Sequence, residues 1–124
     1  MVEQTARNQA GETGRVTELR TADGAVVCAH CEVADTPFTR MRGLLGRSSL
    51  EPGEGMLFTR SGSIHMLFMR FAIDAVFCDR DLVVLKVARG LRPWRTASAR
   101  GAKVVIELAA GAADGLEPGA QLVI

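Results

Sequence analysis

His65 and Asp74 stand in the densest apolar stretch of the chain, Pro37 to Phe77, with Arg42 and Arg47 upstream in the same block. Imidazole is the side chain that most readily exchanges a proton near neutrality, so His65 is a candidate general base. Asp74 is the group that could orient it. Ser61, Ser63 and Cys78 are the nucleophile types nearby, and none sits in a strand-turn-helix elbow. Strand parity places His65 and Asp74 on opposite faces unless a kink at Phe71-Ala72 changes the register. As a core histidine, His65 would instead satisfy its nitrogens on backbone groups.

Asp74 lies between Ile73 and Ala75, where a carboxylate is costly unless paired. Arg42, Arg47 and Arg70 are the expected partners, because a guanidinium grips a carboxylate with two parallel bonds. One account is a structural bridge from a helix end to the sheet. A sharper one makes Arg42, Arg47 and Asp74 the floor of a small polar pocket. Its walls would be Met56, Met69 and Phe58, residue types that serve an adaptable pocket as well as an ordinary core. Glu107, inside Val105-Ile106-Glu107-Leu108, poses the same question of a partner.

A second cluster, Cys28-Ala29-His30-Cys31, carries good zinc ligands. A structural zinc site needs four, and only His65 and Cys78 remain to complete it. Parity in a strand also points Cys28 and His30 one way and Cys31 the other. Redox chemistry is not expected, since a reactive Cys-x-x-Cys pair belongs at a helix N-terminus. No metal and no cofactor are expected. Arg89, Arg92, Arg95 and Arg100 surround Trp94, which superficially resembles a nucleic-acid patch, but one aromatic in a near-neutral chain reads rather as a solvated loop.

The elements that must position these groups are mostly strands. Arg15–Thr21 and Ala25–Ala34 flank Asp23-Gly24, a tight-turn pair that predicts a hairpin. The one helix signal runs over 37–45: Asp35 or Thr36 caps it, Pro37 opens it, and Gly46 ends it. Phe38, Met41 and Leu45 form its apolar stripe. Strands follow at 55–59, 63–70, 73–78, 82–88, 103–109 and 121–124, with 89–95 a loop. The expected fold is mainly β: a compact sandwich or barrel-like single domain over 14–124, after a polar leader at 1–13.

At 124 residues the chain holds one core and needs no staple. Its net charge of +1 supplies no overall field to attract nucleic acid or an anionic membrane, and neither is expected as a partner. No segment approaches the ~20 apolar residues of a membrane span. The N-terminal residues lack the apolar core of a signal peptide. Three cysteines suit reduced thiols in the cytoplasm.

Several pieces in order resemble the domain of unknown function 192 family, also called uncharacterised protein family 0127, found in bacteria and archaea. They are Thr36-Pro37, Arg40 to Arg47, Gly55-Met56-Leu57-Phe58, Ile73-Asp74 with Phe77, and Val105-Ile106-Glu107-Leu108 through Gly111. The chain departs from the family pattern at Ala72, where proline is usual, and at Ala120, where an acidic residue often follows Gly119. Any role of that acidic residue is not carried over. The resemblance implies a compact, mainly-β fold and no agreed chemistry.

Two functions follow as expectations. The first is a non-enzymatic binding or accessory module. It would hold a small polar ligand or a partner peptide with Arg42, Arg47, His65, Met69 and Asp74. The second is a hydrolase or transferase with His65 as base and Asp74 as its companion.

Overall fold

The computed structural model describes residues 15–34, 49–66 and 69–124, with His65 through its backbone. Nine strands make up the regular structure of these residues: β1 Arg15–Thr21, β2 Val26–Ala34, β3 Glu54–Thr59, β4 Ser63–His65, β5 Ile73–Cys78, β6 Val84–Leu91, β7 Thr96–Ser98, β8 Val104–Ala109 and β9 Leu122–Val123. The helix expected over 37–45 lies outside the described residues.

Seven strands form one sheet in the order β6-β5-β8-β3-β2-β1-β9, and β4 and β7 form a separate ribbon. The β1–β2 hairpin is the one Asp23-Gly24 demands. Gly24 takes φ +102°, its amide bonds Thr21 O at 2.9 Å, and glycine reaches that region without a Cβ clash. Strands β2 and β3 run parallel, with His30 opposite Glu54 and Ala34 opposite Phe58. The end of the chain ties the two edges of the large sheet. Leu122 pairs with Thr21 of β1, while Gln121 bridges Val83 just ahead of β6. The sheet is therefore curled rather than flat.

Alternation sorts the side chains to the two faces of this sheet. The inner cluster draws on all seven strands, among them Leu19, Cys31, Leu57, Val76, Val84, Ile106 and Leu122. The opposite face of β3, β5 and β8 carries Met56, Ile73 and Ala109, joined by Leu50, Met66 and Met69. Beside them Ala75, Phe77 and Val105 pack with Ala97 of the ribbon. The protein is a single mainly-β domain with apolar material on both sides of a central β8.

Two elements depart from expectation. β6 is not the buried run read at 82–88. It extends to Leu91 and exposes Leu85, Lys86, Arg89 and Gly90, because it is the terminal strand of the sheet order, with β5 on one side and, beyond the bonds of Val84 to Gly119 and Ala120, no strand on the other. The short β7 falls just beyond the loop expected over 89–95, where no element was expected. Its register is set by β4, with Ser63 opposite Ser98 and His65 opposite Thr96.

Candidate functional site

Every residue of β5 is buried, and Asp74 is the one charged group among them. Its partners are backbone amides. Gly90 N donates to Oδ1 at 2.8 Å, while Gly111 N and Ala113 N donate to Oδ2 at 2.9 and 3.0 Å. Gly90 and Gly111 adopt φ +62° and +93°, and a Cβ built on either meets nothing within 4 Å. Glycine is needed there for the backbone conformation that aims the amide, not for space. The neighbouring Arg89 closes the same unit through its guanidinium, which donates to the carbonyls of Ala113 and Leu116.

The arginine bridge expected for Asp74 is thus replaced by amides among the described residues. Arg70 is exposed, and Arg42 and Arg47 lie outside the described residues. A carboxylate accepting several N–H bonds is a satisfied buried anion. Asp74 forms part of the wall of an open depression of about 350 Å³, with Arg89, Gly90, Gly111 and Asp114.

The expected pocket also divides at the sheet. Asp74 shares its face of β5 with Val76 and Cys78, which belong to the inner cluster. Met56 and Met69, with Phe58 against them, belong to the other face. The structure brings the two methionines and Phe58 together as expected and sets Asp74 apart from them. His65 pairs with Thr96 in the ribbon, whereas Asp74 is in the large sheet.

On the methionine side the polar group is Glu107. It lies in β8 between Met56 of β3 and Ala75 of β5 and is 7% exposed. Burial pushes its carboxyl up to about 8. Glu107 makes no side-chain hydrogen bond or ion pair with a described residue. The signal was present in the sequence, a lone acid in an alternating aliphatic strand, and it was the same signal Asp74 gave. The sequence could not separate the satisfied acid from the unsatisfied one.

The cysteine cluster is rearranged by a bulge. Thr17 opposes Cys31 and Leu19 opposes Cys28, so two steps on β1 span three on β2. The extra residue resets the alternation. Cys28 and Cys31 both enter the inner cluster, while His30 is exposed. The expected pairing of Cys28 with His30 on one face is therefore wrong, and the three do not converge. Cys28 Sγ donates to Gly53 O at 3.6 Å, and the two thiols interact. That interaction and burial push Cys31 far up, and the same interaction lowers Cys28. Among the described residues no group of three or more His, Cys, Asp or Glu is placed to hold a metal ion. Cys78, once a candidate nucleophile, is buried in β5, and burial pushes its thiol up to about 12.

Comparison with known proteins decides the family. The model of DUF192, described as an uncharacterized ACR, matches residues 18–124.

The chain belongs to the DUF192 family.

A UPF0127 protein of Thermococcus sibiricus is 39% identical over 101 residues, which is 73% of this chain and 62% of that protein. A UPF0127 protein of Pyrococcus abyssi is 37% identical over 83 residues, 61% of this chain and 68% of the relative. The chain thus spans less than two thirds of the Thermococcus protein. A crystal structure from Sinorhizobium meliloti, described as that of a proposed transcription regulator, superposes with TM-score 0.73 at 29% identity. It covers 86% of this chain and 89% of its own. A protein of unknown function from Novosphingobium aromaticivorans shares the fold at TM-score 0.74 and 23% identity, over 93% and 96% of the two chains. Among the described residues no helix is long and apolar enough to cross a membrane. The pieces that carry the resemblance, Gly55-Met56-Leu57-Phe58 and Val105 to Gly111, fall on β3 and on β8 with its following turn; β8 carries Glu107 and β3 flanks it.

Proposed function

We propose that this DUF192 domain is a non-enzymatic binding module that holds a cationic group against Glu107. The cation is an amine or guanidinium of a small ligand or of a partner's peptide. One observation carries the reading: a carboxyl that is 7% exposed and lacks a partner among the described residues. Ionised and alone in an apolar setting, such a group is expensive. A ligand cation supplies the missing partner and is selected by that cost. Met56 lies opposite Glu107 on β3 and packs in one cluster with Met66 and Met69, and thioether side chains repack around ligands of different shape.

The alternative, catalysis with His65 as base, has less support. Both oxygens of Asp74 are engaged by amides, which removes the expected orienting partner. The description of the Sinorhizobium protein as a proposed transcription regulator also fits binding better than turnover. Three free, buried cysteines support a cytoplasmic location, where thiols stay reduced.

The test is a thermal-shift and calorimetric titration with agmatine, putrescine and an arginine-containing tripeptide. The wild-type domain should be stabilised by at least one, and Glu107→Gln should lose the response while staying folded. If none shifts the wild-type protein and Glu107→Gln only raises its stability, Glu107 is a buried structural acid and the proposal fails.

A further inference from the structure

The net charge of +1 conceals a strong segregation. Residues 82–106 carry Lys86, Arg89, Arg92, Arg95, Arg100 and Lys103 and no acidic residue, so the rest of the chain is acidic on balance. Arg89 is committed to carbonyls of the β8–β9 connection, and Lys86 Nζ donates to Ser98 O at 2.8 Å. Arg92, Arg95 and Arg100 are exposed and make no side-chain hydrogen bond or ion pair with a described residue.

Trp94 stands among them in an unusual backbone. Arg95 N bonds Arg92 O at 3.2 Å, closing a turn with Pro93 second and Trp94 third at φ +71°. Proline followed by a positive φ is the type II pattern, and its third position normally takes glycine. A bulky residue there is a conformational outlier. The strain is held by Met66, whose carbonyl accepts from Trp94 N at 2.8 Å and whose amide donates to Arg95 O at 2.7 Å. The residue is 60% exposed.

The exposed residues continue along β7. Thr96 and Ser98 are exposed with Ala97 partly buried between them, and Arg100 is exposed beyond the strand's end. Thr96 and Ser98, on one side of an extended strand, are about 6.6 Å apart. Ser63, paired with Ser98, is exposed beside them. Ser63, Lys86, Thr96 and Ser98 line an open trough of about 460 Å³. Cations and hydroxyls are phosphate contacts, and an exposed aromatic is a stacking platform for an unpaired base.

We propose that the β4–β7 ribbon and the 92–95 turn form a binding surface for single-stranded nucleic acid. Arg92, Arg95, Arg100 and the ribbon hydroxyls contact phosphates, and Trp94 stacks on a base. A membrane surface is disfavoured, because inserting Trp94 would bring Thr96 and Ser98 toward apolar lipid without partners. The surface is independent of the Glu107 reading and stands or falls alone.

Trp94 is the chain's single tryptophan, so its emission reports on this surface. Titration with oligothymidylate or oligouridylate at low salt should quench that emission and raise the anisotropy of a labelled oligonucleotide. Affinity should fall steeply with added salt, and the matching duplex should bind more weakly. Trp94→Gly should keep or raise Tm, because glycine suits the turn, yet weaken binding about tenfold. Trp94→Phe should retain most of it. The triple variant Arg92→Ala/Arg95→Ala/Arg100→Ala should bind about tenfold or more weakly and lose part of the salt dependence. Several results would overturn the proposal: no quenching, equal binding of duplex, or undiminished binding by Trp94→Gly. A blue shift on anionic vesicles without an oligonucleotide response would do the same.

Discussion

Asp74 and Gly111, 37 residues apart in sequence, are joined by a 2.9 Å hydrogen bond from the glycine amide to Oδ2. With the bonds from Gly90 and Ala113, this makes one buried carboxylate the junction of three segments: β5, the end of β6 and the turn after β8. The amides receive an acceptor, and the carboxylate, 1% exposed, receives donors that no side chain had to provide. Asp74 therefore belongs to the architecture of this end of the sheet. The neighbouring acid, Glu107, faces the other side of the same strands without an equivalent set of donors among the described residues.

Replacing Asp74 by Ala strands those three amides. Charge-assisted bonds of this kind, once broken, leave unsatisfied buried donors, and the loss should be about 4 kcal/mol. Asp74→Asn restores one acceptor and should lose about half as much. Urea denaturation followed by circular dichroism measures both. A midpoint for Asp74→Ala equal to the wild type would show that the junction contributes nothing to folding.

The features legible in the sequence were those decided by neighbours in the chain. Asp23-Gly24 specifies its turn locally, and Val104 to Ala109 carries its alternation within six residues. The faces of Cys28 and Cys31 were misread because the bulge is a property of pairing with β1, which no local pattern encodes. The partners of Asp74 were misread for a related reason. Backbone amides have no side-chain identity, and only Gly90 and Gly111, 16 and 37 residues away, hinted that the chain could turn its N–H groups inward. β7 escaped notice because three residues, Thr96-Ala97-Ser98, give too short a pattern to recognise.

Glu107 should give the domain an inverse pH dependence. Its carboxyl is raised from 4.5 to about 8 by burial, so the folded state holds its proton more tightly than the unfolded chain. That contribution is fully present below about pH 4.5 and is lost as pH rises through about 8. The linkage amounts to up to about 5 kcal/mol. Chemical denaturation at a series of pH values should show stability from this group declining across that window, and Glu107→Gln should flatten the decline. An unchanged slope in the variant would mean that Glu107 is ionised in the folded protein throughout.

Gly55 should tolerate no side chain. A Cβ there would lie 2.7 Å from Glu107 O, 2.8 Å from Cys28 Sγ and 3.0 Å from Leu108 Cδ2. Forcing a methyl into such a contact costs about 1–3 kcal/mol, so Gly55→Ala should lower Tm by several degrees. Adding Cys28→Ala should not restore it, because the carbonyl of Glu107 still closes the space. Full recovery in the double variant would place the conflict at the thiol alone.

The three cysteines should differ in reactivity despite their common burial. Cys78 is held as a thiol by burial, which raises it to about 12, and Cys31 is raised by its bond to Cys28 and by burial. Both should resist iodoacetamide until the domain opens, since only the thiolate attacks. Cys28 is shifted the other way by the hydrogen bond from Cys31, so it should react first under native conditions. Peptide mapping after brief alkylation should find the label there. In Cys31→Ala the bond that favours the Cys28 thiolate is gone, and its labelling should slow toward that of Cys78. If alkylation of Cys28 is as fast in Cys31→Ala as in the wild type, access alone governs its chemistry and the thiol–thiol bond does not.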